Sequence, residues 1–289
     1  MQWVNTIIQG ILLGGLYALY GTGLSLIFGV MRLVNLAHGD FLVGATYIAL
    51  VIVTWLTIHP LLSLIFVIPI AFVVGVVFQR GVLNQTLGKG LMPPLLITFG
   101  LSVIIQNALQ LQFSADAQDL DAGALETASI HLAEQVNIGV MPLITFITAV
   151  VILIGLQWFL SRTRPGQAFR ATSDDPATAE LMGINSRQIY GLALGISMVT
   201  VAIAGVMLGI RTNFAPSAGP TRLLFAYETV IIGGLGSLWG TLAGGLILGL
   251  SQNIGAQIRP AWFQLAGHVV TLIVLIIRPS GLFARTRDE

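Results

Sequence analysis

Residues 41–79 read FLVGATYIALVIVTWLTIHPLLSLIFVIPIAFVVGVVFQ and contain no Asp, Glu, Lys or Arg. The stretch is roughly twice as long as the 20 or so apolar residues that one helix needs to cross a bilayer. The "IHP" at 58–60 interrupts it near the middle, and proline ends or kinks a helix. The stretch therefore predicts two membrane-spanning helices that form a hairpin.

The composition extends this prediction to the whole chain of 289 residues. Apolar residues make up 55% and charged residues 9%, with a mean hydropathy of +0.90, whereas a soluble domain carries about 25% charged residues. Because so little charge cannot cover a water-facing surface, we predict a polytopic membrane protein surrounded by lipid. The net charge of +1 gives no basic field for nucleic acid, and the absence of cysteine excludes disulfides and thiolate catalysis.

The apolar runs predict an all-α fold, a transmembrane helical bundle of about eight or nine spans, some of them broken or re-entrant. We expect one transmembrane domain over residues 1–289. The run 6–30 is too long for a signal-peptide core, so we interpret it as a retained first span. The predicted spans are 6–30, 41–58, 61–79, 91–113, 138–160, 190–210, 223–238, 240–258 and 261–277.

Glycines four residues apart recur within these spans, at 10 and 14, 205 and 209, and 245 and 249. Small residues at this spacing let two membrane helices approach closely. The pattern predicts a tightly packed bundle and indicates no particular function.

Basic residues in short loops indicate the cytoplasmic side of a membrane protein. They concentrate in three places: at Arg80 and Lys89, in the loop 161–189, and at Arg278, Arg285 and Arg287 near the C-terminus. The loop 114–137 has no Lys or Arg, so we expect it outside. Nine crossings satisfy these assignments with the N-terminus outside, and eight crossings plus a re-entrant segment are the alternative.

The loop 161–189 contains clear helix start and stop signals. Asp175 suits a cap, Pro176 suits the first helical position, and Gly183 suits the position just after the helix. A helix of about two turns is marginal alone in water, so we expect it to dock onto something. A partner protein, the end of the bundle and the lipid interface all remain open on these grounds.

The stretch "MRLVNLAHGDFL" at 31–42 places polar residues between two apolar runs. We interpret it as a partly buried break between helices. Gly39 would allow the turn, Asp40 would cap the next helix, and Asn35 and His38 would bond backbone groups that the break leaves free. Direct contact with a transported molecule is the competing hypothesis.

Other polar residues inside predicted spans are candidates for a transport pathway, because ionisable groups at membrane depth are usually functional. The clearest is Glu228, for which pairing with Arg211 or Arg222 is the structural alternative. Amides could line a polar route or only bond neighbouring helices, and they are Gln106, Asn107, Gln252 and Asn253. We find no phosphate-binding glycine loop of the Gly-x-x-x-x-Gly-Lys type and no metal-ligand spacing among the four histidines, so we predict no enzyme activity for this chain alone.

Three motifs resemble the permeases of bacterial ABC importers of branched-chain amino acids, the LivH-like type. They are 15–45, "ETVIIGGLGSLWGTLAGG" at 228–245, and a loop pattern formed by Gly166, Ala168, Arg170, Ala171, Ala179, Gly183 and Ile184. The resemblance spans nearly the whole chain, with the motifs in the family's order. The departure is Gln167, where the family often has arginine.

The resemblance implies a permease subunit in the bacterial inner membrane that moves branched-chain or other hydrophobic amino acids. Its partners would be a second related permease, two ATPase subunits and a periplasmic binding protein. This chain would bind no cofactor, with ATP and Mg²⁺ in the ATPases. We expect Arg170, Asp174, Asp175, Glu180 and Gly183 to couple the cytoplasmic loop to the ATPases. A permease for urea or short amides, an ion-coupled secondary transporter and a structural membrane subunit are the alternatives.

Overall fold

The structure, a computed structural model, describes residues 2–90, 92–133 and 136–283. Helices dominate it, and they are α1 (Gln2–Met31), α2 (His38–Leu56), α3 (Pro60–Gly81), α4 (Met92–Phe113), α5 (Ala124–Thr127), α6 (Val140–Arg162), α7 (Arg164–Asp174), α8 (Pro176–Leu181), α9 (Ser186–Arg211), α10 (Gly219–Gly233), α11 (Leu238–Ile258) and α12 (Phe263–Ile277). The predicted all-α fold is confirmed. A small antiparallel hairpin, β1 (Ser129–Ala133) and β2 (Val136–Gly139), lies in the predicted outer loop, where we expected no strand.

Seven helices in the described part of the chain are long and apolar enough to cross a membrane, and α10 and α11 form an eighth span if the two count as one broken helix. The predicted span 223–238 falls largely in α10, which a short break separates from α11, so the two form a broken span or a re-entrant loop. Helix α10 meets α11 at 115°. The prediction of nine full crossings is therefore wrong, because α10 does not cross as a separate straight span. The alternative of eight crossings plus one irregular segment fits the structure.

Helices α1 and α9 form the centre of the bundle. Of the most apolar stretch of each, 83% is buried inside the chain, against 28% or less in α3, α4, α6 and α12. The outer helices instead expose large apolar side chains, such as Val77, Leu111, Trp158 and Ile276. Since a bilayer satisfies such a surface and water does not, the outer helices face lipid or other membrane proteins.

The predicted close packing at paired glycines is confirmed. A Cβ atom on Gly14 of α1 would lie 2.7 Å from Leu246 Cα of α11, and one on Gly249 would lie 2.5 Å from Gly14 N. A Cβ on Gly205 of α9 would lie 2.9 Å from Thr46 Oγ1 of α2. The glycines thus bring helix backbones into direct contact.

The two ends of the bundle differ in structure. One end, here called the loop-helix end, carries α7 and α8 together with the turn between α10 and α11 and the segment that follows α12. At the opposite hairpin end, Gln9 Nε2 of α1 donates to Asn137 O of β2 at 2.7 Å, and Gln118 pairs with Phe214. The start of α1 and the end of α12 therefore lie at opposite ends. Two of the predicted cytoplasmic basic residues, Arg285 and Arg287, lie outside the described residues.

Candidate functional site

The predicted start of the loop helix is confirmed at Asp175. Its Oδ1 accepts hydrogen bonds from Ala177 N at 2.9 Å and Thr178 N at 3.2 Å, and Pro176 is the first residue of α8. The hydroxyl of Thr178 also donates to Asp175 Oδ2 at 2.5 Å. These bonds, the hydroxyl of Thr178 foremost, hold the pKa of Asp175 below its usual value, so the cap is a carboxylate at neutral pH.

The predicted stop signal is confirmed at Gly183. Its φ is +85°, a left-handed conformation that residues with a Cβ rarely adopt. Gly183 N donates to Glu180 O at 3.0 Å, and Ile184 N donates to Ala179 O at 3.0 Å, so the last carbonyl groups of α8 are satisfied. Both ends of this six-residue helix are therefore closed by groups next to it in sequence.

The outer surface of α8 is apolar as well as polar. Leu181 is 88% exposed and Met182 79% exposed, while Ala179 faces the bundle. Glu180 lies exposed beside them. Two adjacent large apolar side chains on a small projecting element, with a carboxylate alongside, form a surface suited to docking in a complementary groove.

Helix α7 was not predicted, and it holds α8 in place. Phe169 of α7 is buried and packs edge-on against Phe159 of α6, with ring centroids 5.8 Å apart. The Ser173 hydroxyl donates to Gly29 O near the end of α1. The sequence contained a signal, since Thr163 caps α7 by accepting from Gly166 N at 3.1 Å and Pro165 follows it. A capping side chain followed by proline also begins α8, at Asp175 and Pro176. We predicted that helix from this pattern but did not apply the pattern at Thr163.

The five predicted coupling residues fall into two groups. Arg170 and Asp174 of α7 line a cavity of about 650 Å³, together with Gly29 and Arg32 from the end of α1. The other three, Asp175, Glu180 and Gly183, lie on or beside α8 and outside that cavity lining. We predicted one group of coupling residues, but the structure separates them. Arg170 and Asp174 lie on the wall of a cavity, and the other three lie on or beside α8 at the outer surface.

The predicted buried break after α1 is confirmed. Asn35 and His38 are fully buried, and Asn35 Oδ1 accepts from Ala37 N at 3.0 Å. His38 Nε2 lies 2.9 Å from Tyr20 O, in the middle of α1. Because Tyr20 is three helical turns before Met31, the segment after α1 turns back into the bundle rather than staying at its surface.

Two details of the predicted break are wrong. Gly39 does not make the turn, because it lies inside α2 without a positive φ, and the left-handed residue is Arg32 with φ of 51°. Asp40 does not cap α2, since Ala37 occupies the cap position without a side-chain bond. Gly39 is needed for packing instead: a Cβ there would lie 2.8 Å from Leu223 N of α10.

The structure pairs Glu228 with a residue that sequence reasoning did not consider. Its carboxylate contacts Nδ1 of His268 on α12, so the predicted pairing with Arg211 or Arg222 is wrong. Gln252 of α11 is fully buried and its Oε1 accepts from the hydroxyl of Tyr17 at 2.5 Å. Glu228 and His268 are 40 residues apart in the chain, and Tyr17 and Gln252 are 235 apart. A single sequence therefore gives no indication that these residues meet.

The remaining amides of the predicted pathway bond within their own helices. Gln106 Nε2 donates to Ser102 Oγ at 3.1 Å, Asn107 Nδ2 to Val103 O at 2.7 Å, and Asn253 Nδ2 to Gly249 O at 3.1 Å. Asn107 is exposed on the outside of the bundle. The structure therefore does not bring these three amides together with Glu228.

Comparison with known proteins agrees with this architecture. Residues 6–278 match the family described as "Branched-chain amino acid transport system / permease component". The chain belongs to this family. Its members are transport components of ABC importers rather than catalytic enzymes, and the described helices make this chain a multi-pass membrane protein.

Two relatives are similar to the chain over nearly their whole length, and a third over part of it. The chain is 28% identical to the high-affinity branched-chain amino acid permease BraD of Pseudomonas aeruginosa, and 25% identical to LivH of Escherichia coli K12. Both comparisons cover 100% of this chain and 98% of the relative. The fructose import permease FrcC of Rhizobium meliloti is 29% identical over 70% of this chain and 60% of the relative. No solved structure matches the chain.

Proposed function

We propose that the chain is the membrane permease of an ATP-driven importer that carries branched-chain or other hydrophobic amino acids across the bacterial inner membrane. The observation that supports it best is α8, a helix closed at both ends that presents Leu181 and Met182 to the outside. A helix of six residues is marginal by itself in water, and a partner protein that covers its exposed apolar side chains would stabilise it.

The partner of α8 in this proposal is an ABC ATPase, which binds ATP and Mg²⁺ while this chain binds neither. The exposed side chains of α8 would enter a groove of the ATPase, and Glu180 would pair with a basic residue at its rim. Helix α7 supports transmission of movement, because Ser173 bonds Gly29 of α1 and Phe169 is anchored on α6. Closure of the ATPases on ATP would thus move the end of the central helix α1.

The loop-helix end is cytoplasmic in this proposal. Basic residues support the assignment, since Arg162, Arg164 and Arg170 lie on the helices of that end, and the hairpin end carries the loop without Lys or Arg. The start of α1 would then be periplasmic and the end of α12 cytoplasmic. A periplasmic binding protein would deliver substrate at the hairpin end, and a second related permease would cover part of the apolar outer surface.

The relatives support the substrate class, since BraD and LivH are named for branched-chain amino acids and are matched over the full chain. A secondary transporter is not favoured, because an ion gradient needs no docking helix such as α8. Urea or short amides are likewise not favoured by any relative described above.

Uptake by the reconstituted complex tests the proposal. Proteoliposomes containing the two permeases and the ATPases, with the binding protein outside and ATP inside, should accumulate labelled leucine, isoleucine or valine. Empty liposomes and ATPase subunits without this chain are the controls. Uptake that needs a proton or sodium gradient and proceeds without ATP would refute it.

A further inference from the structure

Two arginines flank the connection between α9 and α10. Arg211 lies in the last turn of α9, and Arg222 lies in the first turns of α10. Nη1 of Arg211 and Nε of Arg222 are shielded from solvent and have no hydrogen-bond partner among the described residues. Within residues 2–90, 92–133 and 136–283, the carboxylate found in contact with a basic side chain is that of Glu228, which meets His268. No described carboxylate therefore neutralises these guanidinium groups.

The side chains around the two arginines are mostly donors, although Tyr17 also lies within electrostatic range of Glu228. Tyr17 and Tyr20 of α1 lie within electrostatic range of both guanidinium groups. The hydroxyl of Tyr20 is buried without a partner among the described residues, and so is Nε2 of Gln252, the residue that accepts the hydroxyl of Tyr17. What we call the donor strip consists of Arg211, Arg222, Tyr17, Tyr20 and Gln252, and its buried unpartnered atoms are N–H or O–H groups.

Buried N–H and O–H groups without a hydrogen-bond partner are unfavourable, so the donor strip suits an acceptor that the described residues do not place against it. The planar fork of arginine matches a carboxylate, with two parallel hydrogen bonds. An apolar surface adjoins the strip, because the ring of Phe225 lies 5.2 Å from that of Tyr17. The strip therefore suits a ligand that joins a carboxylate to an apolar group.

The two arginines lie towards the hairpin end of the bundle. Leu120 N donates to Gly209 O, two residues before Arg211, at 3.0 Å, which fixes the outer loop above the strip. Arg211 and Arg222 are partly exposed, whereas Tyr20 is fully buried. The arginine side chains are therefore the more accessible part of the strip.

We propose that Arg211 and Arg222 bind the α-carboxylate of the transported amino acid on its way through the membrane, with Tyr20 as an additional donor. This inference rests on the proposed function and adds to it a substrate contact inside the permease. It makes the permease itself, and not only the binding protein, selective for a free carboxylate.

Equilibrium binding to the purified complex tests the inference without the binding protein. The complex of both permeases and the ATPases is placed in lipid nanodiscs and titrated with labelled leucine. Unlabelled leucine and leucinamide, which lacks the carboxylate, serve as competitors. The variants are Arg211→Gln, Arg222→Gln and the corresponding lysine substitutions. Arg259→Gln is the matched control, because Arg259 is an exposed arginine beyond α11 at the same end.

We expect the glutamine variants to bind leucine about tenfold more weakly or worse, because each loses a charged hydrogen bond. The lysine variants should retain part of the affinity, and Arg259→Gln should bind as wild type. Leucinamide should compete poorly against the wild type. Its disadvantage relative to leucine should shrink in the glutamine variants, which a purely structural role of the arginines would not produce.

Other results would overturn the inference. If ATP-driven leucine uptake is normal and both glutamine variants bind leucine like the wild type, the carboxylate site is refuted while the proposed function stands. If the glutamine variants lose the second permease during purification, the arginines pair with that subunit instead. If the wild-type complex neither binds nor imports leucine, the proposed function fails and the inference fails with it.

Discussion

Helix α8 and the break after α1 both interrupt the spanning helices, but they satisfy their polar groups in opposite ways. In α8, Asp175 and Gly183 close the helix through atoms two to five residues away. In the break, His38 reaches Tyr20 of another helix, and both oxygens of Asp40 lack a hydrogen-bond partner in the described part of the chain. A projecting helix is thus specified locally, whereas a buried break depends on the assembled bundle.

This difference predicts that substitutions in the break disturb the fold and that substitutions in α8 disturb coupling alone. The effects on stability should therefore exceed those on coupling.

Gly39→Val should have the largest effect, because its side chain would meet the backbone of α10 at Leu223 N, which cannot shift independently. We expect about 3 kcal/mol or more of destabilisation, and little assembled permease. Thermal unfolding of the purified complex and its yield after size exclusion measure the effect. Gly100→Val is the matched control in α4, since a Cβ there meets nothing within 4 Å. Equal stability of the two variants would contradict the packing role of Gly39.

His38→Ala should come next, because it leaves Tyr20 O without the imidazole and opens a buried space in the break. Removing a fully buried side chain of this size costs about 2–3 kcal/mol through the lost contacts and the cavity left behind. We expect reduced assembly while the permease that does assemble keeps its preference among leucine, isoleucine and valine. His131→Ala in the exposed hairpin should leave assembly unchanged. Normal assembly with an altered substrate preference would favour direct contact of His38 with substrate.

Gly183→Val should leave assembly intact and lower coupling, because valine in a left-handed conformation costs about 1–2 kcal/mol and distorts the end of α8. The measurement is leucine imported per ATP hydrolysed in proteoliposomes. Gly183→Asn is the control, since asparagine tolerates this conformation better, and it should retain most coupling. An unchanged ratio in Gly183→Val would argue against α8 as the coupling element.

Asp175→Ala should cause a smaller loss of coupling than Gly183→Val, since it removes the cap and leaves the backbone unstrained. Asp175→Asn, which removes the charge but keeps a capping side chain, is the control and should retain most coupling. The lowered pKa of Asp175 also predicts a pH dependence. The cap is fully present above the ordinary aspartate value of about 3.9 and is lost as the pH falls through the lower folded pKa.

Coupling in the wild type should accordingly not vary with pH between about 5 and 8 through this group. A decline of coupling across that range in the wild type, absent in Asp175→Ala, would show that Asp175 titrates there and would contradict the lowered pKa.

Much of the candidate site was predictable where neighbours in sequence interact. Asp175, Pro176 and Gly183 carry their signals within one segment, and so does the polar break at 31–42. Helix α7 was missed although Thr163 and Pro165 form an equivalent start signal. The structure confirms the helix ends at Asp175 and Gly183, while the coupling roles remain predictions for all five residues, Arg170, Asp174, Asp175, Glu180 and Gly183.

The sequence by itself determined the membrane bundle, the close helix packing at paired glycines, the ends of α8 and the presence of a buried break. Each follows from composition or from spacing within a few residues. Only the tertiary structure decided that Glu228 meets His268, that Gly39 packs against α10 rather than turning the chain, and that Arg211 and Arg222 share the donor strip. These contacts join different helices, and one sequence records the residues at both ends of a contact without recording that they meet.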